Sequence, residues 1–449
     1  MKKIFNYFSL LLVIVISLSL ISCKKKSVSL TNYMFNDGYV AASYKGNWGF
    51  LNKNGDTFIN FEYDSATAFA DGYAILSKDN KFFVVNSNGD GVTKSYLNLK
   101  YLGNGYFSFY KDKSYGVINA KDKVILENKY ASVEYFSGNV FICKKDGLYG
   151  LVSKRGKELC DFVYQSINEF HEGYALAKRD GLYGFINKDG KEIIPFDYLN
   201  SSNFVGKYVY VETQSNEKYI ITNRNKIAFT IPSGYSLESF DENYIVISND
   251  ATHKESLYNY KGKALITDAS RIIVTNDENR SYVAAIYSAT LDEKTTYSFS
   301  LYKYNNFKKI ASSMDFGSGY NLFYYYLDYV TSKLYFRYLN EDGSKSMIYV
   351  FDGKSVELTD IVTTYYIKSI SNGIVNALDN NGLPFLINGQ YAISKDYHVL
   401  TVSFITTDGY IIYSDGSNYG AFDINGKEIL KCEYNHIKTQ YTINAWYFS

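Results

Sequence analysis

The hydrophobic pattern changes character at residue 31. Ile4 to Ile21 is a largely apolar run, and nothing comparable follows it. Beyond the change, apolar and polar residues alternate in short stretches such as Tyr174-Ala-Leu-Ala-Lys and Gly184-Phe-Ile-Asn, the period-2 signature of short β-strands. Between them lie Asn52-Lys-Asn-Gly55, Asn86-Ser-Asn-Gly89, Asn187-Lys-Asp-Gly190 and Asp423-Ile-Asn-Gly426. Asn, Asp and Gly tolerate the positive φ that tight reversals need, so these read as hairpin turns.

The alternations repeat. A Gly ahead of an aromatic or apolar strand recurs at 38, 72, 105, 138, 173 and 206, in steps of 33 to 35 residues. About eleven positions on comes Trp48-Gly49-Phe50, Phe82-Phe83-Val84, Tyr115-Gly116-Val117, Tyr149-Gly150-Leu151 or Tyr183-Gly184-Phe185. A strand ending near Tyr63, Tyr130, Tyr164 or Tyr198 follows, and Phe69, Leu102, Phe136, Phe170 and Phe204 close the units. Four markers share one period, which is the mark of a tandem repeat. Further starts fall near Asn243, Ser281, Lys333, Gly373 and Gly409 at spacings of 36 to 52, so the whole makes about eleven units.

Each unit supplies three or four short antiparallel strands, enough for a propeller blade that buries its faces against its neighbours. The aromatic beside Gly is expected to pack between adjacent sheets, with Gly allowing close approach. The fold class is therefore all-β, with tandem repeats of about 34 residues in one or two propeller-like domains; an open β-solenoid is the alternative. Eleven blades exceed the usual four to eight in one ring, so two packed propellers, or one ring plus an irregular β extension, are both open. Ile231-Pro-Ser-Gly234 divides a regular domain, 32–232, from a degenerate one, 233–449.

The unit Gly173 to Tyr198, with Tyr183-Gly184, Asn187-Lys-Asp-Gly190, Ile194-Pro195 and Asp197-Tyr198, resembles the WG-repeat family of bacterial proteins. The resemblance runs from about Gly38 to Phe204 and returns at Tyr419-Gly420 to Leu430. It assigns repeat-structural roles to Trp48, Gly49, Tyr115, Gly116, Tyr149, Gly150, Tyr183, Gly184, Tyr419 and Gly420. Of these units only the first keeps the family's Trp, as Trp48.

Composition fits: 48 Tyr and 30 Phe against 3 Pro favour half-buried pleated sheet. Charge is nearly balanced, and loss of residues 1–22, with Lys2 and Lys3 and no acid, moves the net from +1 to −1. Nucleic acid, which needs a basic surface, is not an expected partner.

Lys2 and Lys3, the apolar run and Leu20-Ile21-Ser22-Cys23 resemble the type II signal peptides of bacterial lipoproteins. That resemblance implies a signal-peptide helix over 1–22, cleavage between Ser22 and Cys23, and a diacylglyceryl thioether on Cys23, with 23–31 as a tether. Lys24 to Lys26 directly after the apolar run argue against an uncleaved anchor whose N-terminus stays inside. The expected location is the cell envelope, attached to a membrane, with the outer membrane or surface ahead of the inner membrane because Lys24 is not an inner-membrane-retaining Asp.

Chemistry is sparse. The 4 His stand far apart, no Cys-x-x-Cys occurs, and no nucleophile elbow, phosphate loop or dinucleotide fingerprint is present. Cys143 and Cys160, on the first and third strands of one sheet, would lie roughly 10 Å apart at about 4.8 Å per strand, too far for a disulfide. No catalysis, metal or dissociable cofactor is expected. The leading function is a binding or scaffolding lipoprotein for a protein or peptide. A glycan-binding or adhesin-like module using exposed rings such as Tyr324-Tyr325-Tyr326 is the second, and a hydrolase the third.

Overall fold

The computed structural model describes residues 30–443 apart from 138, 277–279, 292–293, 314–319, 329–330, 341–344, 360–365, 372, 379–383, 389–390 and 393–400. The signal segment, Ser22, Cys23 and most of the tether thus lie outside the described residues, as do Tyr365 and His398.

Among the described residues the architecture is all-β. Ten antiparallel sheets of three, four or seven strands follow one another along the chain. The seven-stranded one is two units sharing the strand Glu192–Ser201, so the units number eleven. They are called blades 1 to 11 and span 39–63, 65–96, 99–130, 132–164, 166–198, 198–231, 235–269, 271–312, 320–358, 366–392 and 401–434. Within a blade the strands lie in chain order, except that blade 1 takes its first strand from the end of the chain. The second strand of each begins at or just after one of the eleven repeat starts, for example Tyr39–Tyr44 after Gly38, Tyr244–Asn249 after Asn243 and Tyr410–Ser414 after Gly409.

The middle of each second strand is largely apolar because both of its faces are covered. Val40 and Ala42 pack toward blade 11, whereas Ala41 between them packs toward blade 2. The same division recurs around the molecule: eleven clusters of buried side chains each join two successive blades. The last cluster unites Ile412, Ala421 and Leu430 of blade 11 with Val40, Ala42 and Leu51 of blade 1. Ile231 and Leu237, on either side of the Pro232 turn, meet in a cluster of the same kind.

The ends of the chain lock this circuit. His436–Lys438 supplies the first strand of blade 1, with Ala41 opposite Lys438 and Ser43 opposite His436. Leu30–Tyr33 then pairs with Gln440–Ile443, from Leu30 opposite Ile443 to Tyr33 opposite Gln440. A circuit whose first sheet is completed by a strand from the far end of the chain is a propeller-like ring and not an open solenoid.

Because strands alternate in direction, the ring has two distinct faces. One carries the turns between second and third strands together with the junctions from each fourth strand to the next blade. Several of these junctions are a single residue, such as Asp64 between Thr57–Tyr63 and Ser65–Ala66. The other face carries the first-to-second and third-to-fourth turns. On it the turn glycines of several blades pack on the preceding blade: a Cβ on Gly55 would lie 2.6 Å from the Ile429 carbonyl, and one on Gly190 would lie 2.7 Å from Cys160 Cβ.

Candidate interaction surface

The residues singled out in the repeats sit in the third strands. Trp48 lies opposite Tyr63, Tyr115 opposite Tyr130, Tyr149 opposite Tyr164, Tyr183 opposite Tyr198 and Tyr419 opposite Tyr434. Two markers separated by 15 residues in sequence are therefore cross-strand partners, a pairing that stabilises sheets. All five leading rings are half-buried against the cluster between their blade and a neighbour. Lysines sit over the outer side: Lys438 Nζ is 5.6 Å from the Trp48 ring, Lys144 5.0 Å from Tyr149 and Lys178 4.7 Å from Tyr183.

The neighbouring glycine has a geometric cause. From Tyr115 to Val117 the third strand advances two residues while its partner goes from Tyr130 to Leu126, so the fourth strand bulges. The bulge brings its carbonyls over the glycine. A Cβ on Gly116 would stand 2.6 Å from the Leu126 oxygen, and Gly49, Gly184 and Gly420 face the carbonyls of Ile59, Ile194 and Leu430 in the same way. The close approach comes from the blade's own fourth strand. Pro195 fits here because a bulge leaves an N–H that needs no ladder partner.

A second repeated device was missed from sequence. On the face bearing the first-to-second turns, an acid of one blade accepts a backbone N–H from the next. Asp37 Oδ2 accepts from Gly72 at 2.8 Å, Asp71 Oδ2 from Asn104 at 3.2 Å, and Asp328 Oδ2 from Gly373 at 3.0 Å. Asp408 of blade 11 takes Met34 N at 3.0 Å and Phe35 N at 3.1 Å, so the final link closes the ring. Asp-Gly-Tyr at 37–39, 71–73 and 408–410 was the available signal. Only its glycine marks a repeat start; the acid carries the link.

Blade 7 uses the same position differently. Asp241 is buried; its Oδ1 accepts from Asn243 N and Tyr244 N, and its Oδ2 from the Tyr304 hydroxyl of blade 8 at 2.9 Å. Burial pushes its carboxyl up to about 6, against the pull of those hydrogen bonds, with Glu242 adding a little more. A value above the unfolded one means that folding favours the protonated acid. Its contribution is full below about pH 4 and is lost as pH rises through 6. Two units correspond to roughly 2–3 kcal/mol. Asp241→Asn keeps the acceptor for both amides, so urea unfolding at pH 4 and pH 7 should show a smaller loss of stability in the variant. An unchanged difference would remove Asp241 as a source.

Cys143 is buried, and Cys160 Sγ accepts the Leu151 amide at 3.3 Å; both are free thiols whose ionisation burial suppresses. His171 is pushed down to about 4 by burial. His436, on the closing strand, stacks 6.0 Å from Trp48 at 7° and 6.4 Å from Tyr419. Among the described residues no three His, Cys, Asp or Glu are grouped to hold a metal ion.

Blades 8 and 9 depart most from the repeat. Ser281–Leu291 and Lys294–Lys303 have 11 and 10 residues, where Tyr174–Arg179 has 6. This lengthening supplies about half of the excess in the 52-residue spacing, on the side of the ring that carries the junctions. Beside this hairpin runs Tyr320–Asp328, with Phe323 49% and Tyr324 44% exposed. The Tyr297 ring of the hairpin lies 5.9 Å from Tyr324, whose own ring stacks on Tyr325 at 5.6 Å and 15°. Tyr304, in contrast, is core.

The WG containing repeat family matches residues 48–82, 115–149, 149–183 and 183–219. Four segments of the chain match the WG repeat. Each matched WG repeat starts at the aromatic of a third strand, so the family's unit straddles two blades. The stretch 83–114 that escapes the match begins where Phe83 replaces the WG repeat's glycine. No curated protein matches the chain. Similar solved structures include a eukaryotic initiation factor (12% identity, 72% of this chain and 96% of that one, TM-score 0.38). BamB from Moraxella catarrhalis (11%, 58% and 96%, 0.29) and the WD40 beta propeller domain of Doa1 (12%, 54% and 94%, 0.23) are others.

Proposed function

We propose that this chain is a lipid-anchored, non-catalytic binding protein of the bacterial cell envelope, whose ring offers the aromatic surface of blades 8 and 9 to a protein or peptide. The observation that carries the reading is the solvent exposure of Phe323 and Tyr324, with Tyr324 5.9 Å from Tyr297, at the site where the repeat lengthens. Packing demands elsewhere keep the blades uniform, and large exposed rings with a hydrogen-bonding tip are typical of recognition surfaces. The anchor is Cys23, seven residues before Leu30. With Leu30 paired to Ile443, the ring is held within roughly 25 Å of the bilayer at about 3.5 Å per residue. Two or three acyl chains give stable attachment, and the outer membrane or cell surface is the favoured site.

A photo-crosslinking residue placed at position 324 in cells should give a discrete, protease-sensitive adduct, lost with Phe323→Ser. Cys23→Ser should move the protein from the membrane to the soluble fraction. An adduct that persists without Phe323, or no adduct, overturns the surface; membrane retention of Cys23→Ser overturns the anchor. The near-parallel Tyr324 and Tyr325 rings also suit stacking on a sugar face, the glycan-binding alternative. A glycosidase-sensitive, protease-resistant adduct would select it.

A further inference from the structure

On the opposite face, between blades 8 and 9, lies an open cleft of about 400 Å³. Its walls include Lys303, Asn305 and Asn306 from the third-to-fourth turn of blade 8, Lys354 from that of blade 9, and Ser281. The other blades act as an internal reference. In blades 1 and 5 the turn glycine, Gly55 or Gly190, presses against the fourth strand of the preceding blade. Here both turns have changed length. The blade 8 turn closes through Phe307 N to the Lys303 carbonyl and Lys303 N to the Lys308 carbonyl, one residue longer than the turn from Asn52 to Asp56. Phe307 takes the glycine's position with φ of 54° and stacks on Tyr302. The blade 9 turn, Asp352 to Ser355, is shorter, and its Gly353 packs on the Arg280 side chain. The space filled by backbone in those blades is therefore left open.

The cleft's chemistry is one-sided. None of its lining residues is acidic. Among the described residues neither Lys303 nor Lys354 has a carboxylate within salt-bridge distance. The neighbouring Asp352 is already engaged, its Oδ1 accepting from Lys354 N at 2.9 Å and Ser355 N at 3.1 Å. The floor is fixed from behind: Tyr304, also in the lining, donates to buried Asp241 and receives Asn243 Nδ2 at 2.8 Å. Two ammonium groups call for an anionic oxygen ligand, and two side-chain amides with a serine hydroxyl call for hydroxyls. The volume lies within the range of small-molecule sites, about 300–1,000 Å³.

We infer that the cleft between blades 8 and 9 is a binding site for a carboxylated saccharide unit, its carboxylate held by Lys303 and Lys354 and its hydroxyls by Asn305 and Asn306. The site is independent of the aromatic surface, which lies on the other face.

The test is titration of the full mature lipoprotein in detergent with glucuronate, glucose and inorganic phosphate, followed by ligand-observed NMR and calorimetry. Glucuronate should bind, and glucose should bind at least about tenfold more weakly. Lys303→Gln and Lys354→Gln should each weaken glucuronate about tenfold or more, with an unchanged melting temperature because both side chains are exposed in turns. Lys308→Gln, an exposed neighbour outside the cleft, should change nothing. Asn305→Ala should weaken glucuronate but not phosphate. A glucuronate oligomer binding more tightly per site than the monomer would identify a polymer as the source, and equal binding a free sugar acid; both support the site. Absence of glucuronate binding, insensitivity to both lysine variants, or phosphate binding as tight as glucuronate overturns it.

Discussion

Gly116→Ala should cost about 3 kcal/mol of stability, whereas Gly150→Ala, the same substitution at the same repeat position one blade on, should cost less than about 1 kcal/mol. In blade 3 the added methyl would lie 2.6 Å from the Leu126 carbonyl oxygen and 2.7 Å from two atoms of the Phe109 ring. Phe109 is buried, the carbonyl belongs to the bulge, and neither can retreat without moving the cluster that joins blades 3 and 4 or that joining blades 2 and 3. Overpacking of this kind costs about 1–3 kcal/mol, sometimes more. In blade 4 the nearest atoms are those of the Phe162 ring at 3.0–3.1 Å, a half-buried side chain beneath Lys145 that can swing aside. Urea midpoints at constant m would report the difference. Equal costs would show that the glycine is retained for something other than the bulge carbonyl.

The repeat itself was legible because its markers are local. Turn glycines, the aromatic beside Gly and the tyrosine closing the fourth strand each answer a demand within one blade, so their period shows along the chain. All eleven starts fall at the onset of a second strand. What could not be read was anything depending on residues far apart. The pairing of Ala41 with Lys438 joins strands almost 400 residues apart, and no local composition marks it. The count of eleven pointed as readily to two rings as to one. Trp48 shows the same limit: it was legible as a motif residue, but not as the ring that receives His436 and Lys438 from the far end of the chain. The acid links were half visible. Asp37 and Asp71 look like ordinary turn residues, and only the structure shows their carboxylates reaching the next blade. Exposure of Phe323 was hidden for a further reason. Aromatic runs fill cores elsewhere in this protein, and Tyr304 and Phe323 differ only in what the neighbouring blade covers.

Cutting the chain after Asn435 should open the ring. The truncation removes the strand that completes blade 1 and the partner of Leu30–Tyr33, leaving the second strand Tyr39–Tyr44 as an unpaired edge. Ala41 to Ser43 would lose their ladder partners, and Ile437 would be lost from the cluster uniting blades 11 and 1. Met34 and Phe35, both buried, would be held mainly by their links to Asp408 and their own packing. In a solenoid each unit needs only its neighbours, and trimming one end leaves the rest folded. In a ring the same trimming breaks one interface out of eleven and exposes two sticky surfaces at once. An exposed apolar edge strand recruits other chains, so the truncated protein should run as larger assemblies than the intact chain does. Hydrogen exchange should lose protection first at Val40–Ser43 and at blade 11, not uniformly. Asp408→Ala offers a gentler version: it removes two charge-assisted hydrogen bonds that no other residue replaces, and a loss of about 2–4 kcal/mol follows. If the truncated chain kept the assembly state of the intact one, with blade 1 as protected as before, the two ends would not be what holds the circuit shut.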